Sequence, residues 1–175
     1  MRWYLSHQYD KRAALLADRH YSRSRPGTSH FVAPGRMLIL LTKDADALWV
    51  SSWPYPEMLR RAWYPSAWMC SLFRNESSHL SSELILEAVA ATRWHWGESP
   101  LDGMVTIIDQ RKVKSANPGY CYKKAGFKHV GYTKRAGLHI VQLLPQDMPE
   151  PCLPLGWKAK SIELERHVVQ PVLIA

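Results

Sequence analysis

No stretch of about 18 apolar residues occurs anywhere in this chain of 175 residues, so a membrane-spanning helix is not expected. Cysteine is scarce. Cys70, Cys121 and Cys152 lie far apart, form no CxxC pair and are odd in number, which argues against a disulfide framework and a zinc knuckle. The opening "MRWYLSHQYDKR" lacks the apolar core of a secretion signal, and a cytoplasmic protein is expected. There is no internal repeat and no low-complexity segment. Two local absences are more informative. The junction "FRNESSHLSS", Phe73 to Ser82, has no glycine, and the stretch from Gln110 to Ile140 has neither Asp nor Glu.

What is present is an ordinary globular composition, 46% hydrophobic and 22% charged, long enough for one domain with a real core. The formal charge is +8 and there are eight tryptophans. A basic excess favours polyanionic partners through counterion release. The acid-free stretch carries Arg111, Lys112, Lys114, Lys123, Lys124, Lys128, Lys134 and Arg135, interleaved with Tyr120, Tyr122, Phe127 and Tyr132. Cations for phosphate and rings for bases suit a nucleic-acid surface, although some of these rings must serve the core.

Periodicity predicts a helix over Tyr9–Tyr21, strands over Arg36–Thr42 and Ala47–Trp53 joined by a hairpin turn, and a loop with a short helical piece over Pro54–Ala67. A buried strand "WMCSLF" then runs into a helix ending at Gly97. A strand in "DGMVTIID", a short helix in "NPGYCYKKAGF" and two closing strands around "RAG" follow. The order is that of a mixed α/β (α+β, mixed-sheet) single domain.

The stretch "PGYCYKKAGFKHVGYT", Pro118 to Thr133, resembles the second half of GNAT-type N-acetyltransferases, whose Y-x-K-x-GF-x-x-x-G pattern is met by Tyr122, Lys124, Gly126, Phe127 and Gly131. The resemblance covers roughly Tyr9 to Leu144 and implies a GNAT-like acyltransferase fold. It makes residues 1–145 the catalytic domain and 146–175 a proline-rich C-terminal extension packing on that domain. One departure matters. Members of that superfamily hold the pyrophosphate of acetyl-CoA on glycine-backed amides at a helix N-terminus, and here the loop is "RNESSHLSS".

A narrower group shares this departure. Through "DRHYSR", "FRNE" with its serine-rich helix start, and "IIDQRKV", the chain is similar to the Mom family of phage DNA-modification proteins. The similarity implies transfer of an acyl or carbamoylmethyl-type group to the N6 amine of adenine in double-stranded DNA, protecting phage DNA from restriction. It places the protein in the host cell of a phage or prophage, and it carries an association with iron whose ligands are unknown. By this resemblance His20, Tyr21, Arg74, Glu76 and Asp109 are the catalytic candidates. Ser77, Ser78, Ser81, Tyr120 and Tyr122 are candidates for holding acetyl-CoA or another activated acyl or aminoacyl donor. Arg23, Arg25, Arg111, Lys112, Lys114, Lys123 and Lys124 are candidates for DNA.

Each residue also has a plain reading. His20 can cap a helix C-terminus, where cations are favoured, or act as base, acid or metal ligand. Arg74 can grip a carboxylate or phosphate, or simply pair with Glu76 or Asp109. The serines suit N-caps and first-turn positions. Asp109, at a C-terminal strand edge, can accept a proton, bind metal, or cap the next turn. Cys121 sits among lysines, which favour its thiolate. Two other functions remain open: an acetyl-CoA-dependent acetyltransferase acting on a small amine or protein, and a non-catalytic DNA-binding module. A homodimer is open as well.

Overall fold

The computed structural model describes residues 1–31, 35–53, 64, 66–113 and 115–156. The elements are β1 (Trp3–Ser6), α1 (Lys11–Asp18), β2 (Arg36–Thr42), β3 (Ala47–Trp53), β4 (Trp68–Asn75), α2 (Ser81–Trp96), β5 (Met104–Ile108), α3 (Tyr120–Lys124), β6 (Lys128–Tyr132) and β7 (His139–Leu143). The strands form one seven-stranded sheet in the order β1-β2-β3-β4-β5-β7-β6. All neighbours are antiparallel except β4 and β5, which run parallel. The expectation of a mixed α/β single domain is met at that level. The predicted β2 and β3 match the observed strands residue for residue, and α1 is shorter than expected at both ends. The loop expected over Pro54–Ala67 lies mostly outside the described residues, as does the tail from Trp157 onward.

The sheet separates two cores. On one face α1 buries Ala13, Leu16 and Ala17 against Ile39, Leu41, Leu48, Val50 and Leu72. On the other, α2 and α3 cover Trp49, Trp68, Cys70, Val141 and Leu143. The apolar positions of α2 recur at helical spacing: Leu84, Ile85, Ala88, Val89 and Thr92 are all buried. Thr92 returns its hydroxyl to Ala88 O at 2.7 Å, and it also meets Ser51 Oγ at 2.7 Å, which in turn accepts from Trp49 Nε1. Trp49, Ser51 and Thr92 are thus satisfied in a chain, whereas the buried Trp68 Nε1 finds no partner among the described residues.

β1 was not expected from the sequence. Trp3 is fully buried and donates from Nε1 to Leu84 O at 2.8 Å, and Arg2 bridges Glu83 and Glu87 of α2. Four residues with one large anchor are too short for an alternation signal. On β1's outer side Leu155 exchanges backbone bonds with Leu5 and Trp3, so the chain after β7 returns across the molecule to this edge.

One register shift re-aims a whole strand. Ser51 pairs with Cys70 but Val50 pairs with Leu72, so Ser71 is a bulge. Before it, Trp68 and Cys70 face α2; after it, Leu72 faces α1 and Phe73 packs on Trp49 and Tyr122. Bulges of this kind redirect side chains next to functional clefts.

Gly103, at the mouth of β5, has φ +59° and lies so close to β7 that a Cβ there would stand 2.1 Å from Leu143 O. Both the left-handed backbone and the contact demand glycine. Gly103→Ala is expected to destabilise the protein by on the order of 2 kcal/mol or more, read by urea denaturation. An unchanged midpoint would contradict this account of the β5–β7 junction.

Candidate functional site

β4 and β5 pair only at Trp68–Met104 and Met69–Val105 among the described residues. The next link is a side chain: Thr106 Oγ1 donates to Cys70 O at 2.9 Å. Beyond it the two strands part, and a cavity of about 270 Å³ opens between them. Its walls come from Met69–Phe73 of β4 and Thr106–Asp109 at the end of β5, with His20, Tyr21 and Ser22 after α1, Lys112, Tyr122 of α3, and Leu138. The fold thus brings His20, Tyr21, Asp109, Lys112 and Tyr122, widely separated in sequence, into one site. It does not bring the serines or Tyr120 there.

His20 stacks on Tyr21 with ring centroids 4.3 Å apart. Its Nδ1 meets Ser22 Oγ at 2.7 Å, and Nε2 is the nitrogen without a hydrogen bond among the described residues. Burial, reinforced by the positive charge of Arg74, pushes its pKa down from the usual 6.5 to about 4. At neutral pH His20 is therefore an uncharged imidazole. Cationic C-terminal capping does not describe it. The Tyr21 phenol is raised by burial, partly offset by a hydrogen bond from the Asp109 backbone.

Arg74 and Glu76 stand beside the cavity as a clamp. Glu76 takes two bonds from Arg19, Nε to Oε1 at 2.8 Å and Nη2 to Oε2 at 2.7 Å, and one from Arg74 Nε at 2.6 Å. Arg74 Nη1 also donates to the Arg19 carbonyl at 2.7 Å, the residue just before His20. The two guanidinium groups hold the Glu76 carboxyl down at about 2. The end of β4 is thereby tied to the end of α1, and the group carries a net positive charge despite its glutamate.

Asp109 is held by its own neighbour. Arg111 donates Nε to Oδ1 at 2.9 Å and Nη2 to Oδ2 at 3.0 Å, with its backbone N–H on Oδ1 at 3.1 Å. Arg111 holds the carboxyl below the usual range, so Asp109 is a weak proton acceptor and an effective turn former. Lys112 reaches Tyr21 O at a long 3.5 Å.

At the back of the cavity Cys70 Sγ lies 3.3 Å from Tyr122 Oη. Burial pushes the Cys70 thiol up to about 12 and the Tyr122 phenol well above its usual value. Both stay protonated. Tyr122 also packs edge-on against Phe73 and Phe127, so it serves the core and the cavity at once. Tyr120 is 53% exposed with Lys124 Nζ above its ring at 5.6 Å. Cys121 is not the activated thiol its lysines suggested, since burial raises it.

The serine-rich junction closes on itself. Asn75 Oδ1 accepts from the Ser77 backbone and hydroxyl, and Asn75 Nδ2 donates to His79 O and Ser81 Oγ. Ser78 is exposed. Leu80 occupies the N-cap of α2 and supplies no side-chain cap. The turn offers no glycine-backed cradle for a pyrophosphate.

Of the residues expected on DNA, Arg23 turns inward. It bonds Asp18 Oδ1 at 2.7 Å, His30 O at 2.7 Å and the Thr28 carbonyl, and its side chain is 4% exposed. It organises the loop after α1, leaving little surface for phosphate. Arg25, Arg111, Lys112, Lys123 and Lys124 are exposed, and Lys114 lies outside the described residues. No group of three or more His, Cys, Asp and Glu side chains suited to a metal ion occurs among the described residues. With Asp109 bound at both oxygens by Arg111, this arrangement does not fit the iron implied by the Mom resemblance.

Sequence reasoning missed Ser22, Cys70, Thr106 and Leu138. Cys70 and Thr106 sit inside ordinary apolar strands, where nothing marks a wall residue. Only the parting of β4 and β5 does so.

A histidine buried neutral gives stability that is complete above its unfolded pKa of 6.5 and is lost as the pH falls toward about 4. Denaturation midpoints are expected to fall over that window, and His20→Gln is expected to flatten part of the slope. Arg74→Met is expected to raise the His20 pKa measured by NMR, without restoring 6.5, because burial is the larger cause. A His20 pKa unmoved by Arg74→Met would break the link between clamp and imidazole. Comparison of the chain with protein-family profiles, with curated proteins and with solved structures gives no match.

Proposed function

We propose that this protein is a Mom-like DNA-modifying transferase with a GNAT-like architecture. It places a small acyl or carbamoylmethyl-type group on the N6 amine of adenine in DNA. The observation that carries this reading is the cavity between the parted ends of β4 and β5. It collects His20, Tyr21, Asp109 and Tyr122 beside an acid-free basic stretch. The site sits in the mixed sheet expected from the element order, beside its parallel pair, β4 and β5.

The base must leave the helix stack to reach such a cavity, at a cost of a few kcal/mol. Lys112, at the rim, and the exposed Lys123 and Lys124 supply attraction to the backbone on either side. In acyl transfer, the bound donor supplies an activated carbonyl carbon: an N–C bond forms and the bond to the carrier breaks. An exocyclic amine shares its lone pair with the ring and is a poor nucleophile, but it becomes strongly acidic once bonded to carbon. A neutral His20 with a low pKa suffices to take that proton on Nε2. Tyr122, protonated and directed into the cavity, is placed to return a proton to the departing carrier atom. Glu76 and Arg74 hold the end of α1 that carries His20, and burial, reinforced by Arg74, keeps its ring uncharged. No step is routed through a metal.

A specific feature favours the acetyl-CoA-dependent reading as the runner-up. The N-terminus of α2 has no side-chain cap and stands beside the positive Arg19–Glu76–Arg74 clamp, a setting that favours an anion.

Nucleoside mass spectrometry of DNA from cells expressing the protein is expected to show a modified adenine. His20→Ala should reduce it by roughly a hundredfold or more. Standard bases alone, together with calorimetric binding of acetyl-CoA and no affinity for DNA, would replace this reading with the runner-up.

A further inference from the structure

His129, Tyr132 and His139 form a ring cluster at the β6–β7 edge of the sheet. Their centroids lie 4.8, 4.9 and 5.0 Å apart, all edge to face. The rings of the two cores are covered, but these are not. Tyr132 is 58% exposed, Val130 beside it is 38% exposed, and His129 is exposed. The bulge between His129 and Gly131 brings His129 toward Tyr132 and His139 by offsetting the register by one residue. His139 Nδ1 is buried and has no hydrogen-bond partner among the described residues.

The surroundings are cationic. Burial first, then His129 and Lys123, disfavour the protonation of His139, and Lys134 and Arg135 are exposed on the turn that follows Tyr132. The nearby acid Asp147 is paired with Lys128 at 3.2 Å. The cluster also abuts the cavity through the chain. Leu138, one residue before His139, lines the cavity wall, and His139 pairs in register with Ile108, another wall residue.

We propose that His129, Tyr132 and His139 form a stacking platform for the nucleobase adjoining the one drawn into the cavity. The identification of the ligand as DNA rests on the reading given above. A base extracted from the helix leaves its neighbour with an exposed face. Exposed rings flanked by cations supply a substitute face together with phosphate contacts. A nucleic acid offers both partners on every residue, a phosphate for the cations and a flat base for the rings.

Fluorescence anisotropy with a labelled single strand, and with a duplex carrying one unpaired adenine, tests this at several salt concentrations. His129→Ala with Tyr132→Ala is expected to weaken binding about five- to a hundredfold at every salt concentration and to leave the salt slope unchanged. Lys134→Ala with Arg135→Ala should instead lower the slope by roughly one to two. Tyr132→Phe should bind as the wild type does. Tyr132→Leu, which keeps bulk without a π face, should bind as weakly as alanine, and this pair excludes a folding defect. Wild-type affinity in the leucine variant, or no DNA binding by the wild type, would overturn the platform. Platform-dependent binding with only standard nucleosides in the DNA would leave the platform standing and remove the transferase.

Discussion

The rest of the site depends on one constraint: two parallel strands at the centre of the sheet that stay together for two residue pairs and then separate. Parallel neighbours normally continue their ladder, because every buried N–H and C=O needs a partner. Here the ladder ends at Met69–Val105, with Thr106 Oγ1 on Cys70 O as its last link. The gap must then be lined by something other than strand. α1 sends His20 and Tyr21 to it, α3 sends Tyr122, and the turn after β5 sends Asp109 and Lys112. The bulge at Ser71 completes the wall by turning Phe73 toward Tyr122.

Electrostatics within that gap follow from the same geometry. Its interior groups, Cys70 and Tyr122, are protonated because burial penalises their anions. Its single imidazole is neutral because burial and Arg74 both penalise the cation. The strong charges, Glu76 with two arginines and Asp109 with Arg111, are paired at the periphery. The charged Asp109 and Lys112 stand in the cavity wall at the end of β5 and the turn after it, while the groups at its back, Cys70 and Tyr122, are neutral. A neutral amine entering such a site loses less on desolvation than a charged one would.

Much of the frame could be read in the sequence, since β2, β3 and β4 are apolar runs bounded by turn residues and α2 repeats its apolar positions at helical spacing. β1 escaped because four residues hold their place through Trp3 and Arg2 rather than through a pattern. The site was half legible. His20, Asp109 and Tyr122 stood out by residue type and position. Cys70 and Thr106 did not, because their role comes from a ladder that stops, and a stopping ladder leaves no trace in composition. Arg23 illustrates the opposite error. A basic residue in a basic loop reads as phosphate-binding, but Asp18 lies five positions earlier and claims it.

The glycine-free junction gains a different meaning from this arrangement. In a phosphate-holding turn the backbone amides face a ligand. Here Asn75 gathers Ser77, His79 and Ser81 into a closed turn, and the adjoining Glu76 faces backward to Arg19 and Arg74. Its residues therefore act on the site from behind, by holding the end of α1 against the end of β4. A glycine in place of Glu76 would free the backbone to approach an anion and would release both arginines. The same position cannot serve a flexible cradle and a rigid clamp, and this sequence has the clamp. What it secures is the placement of His20 in the cavity wall, from a turn that does not itself line the cavity.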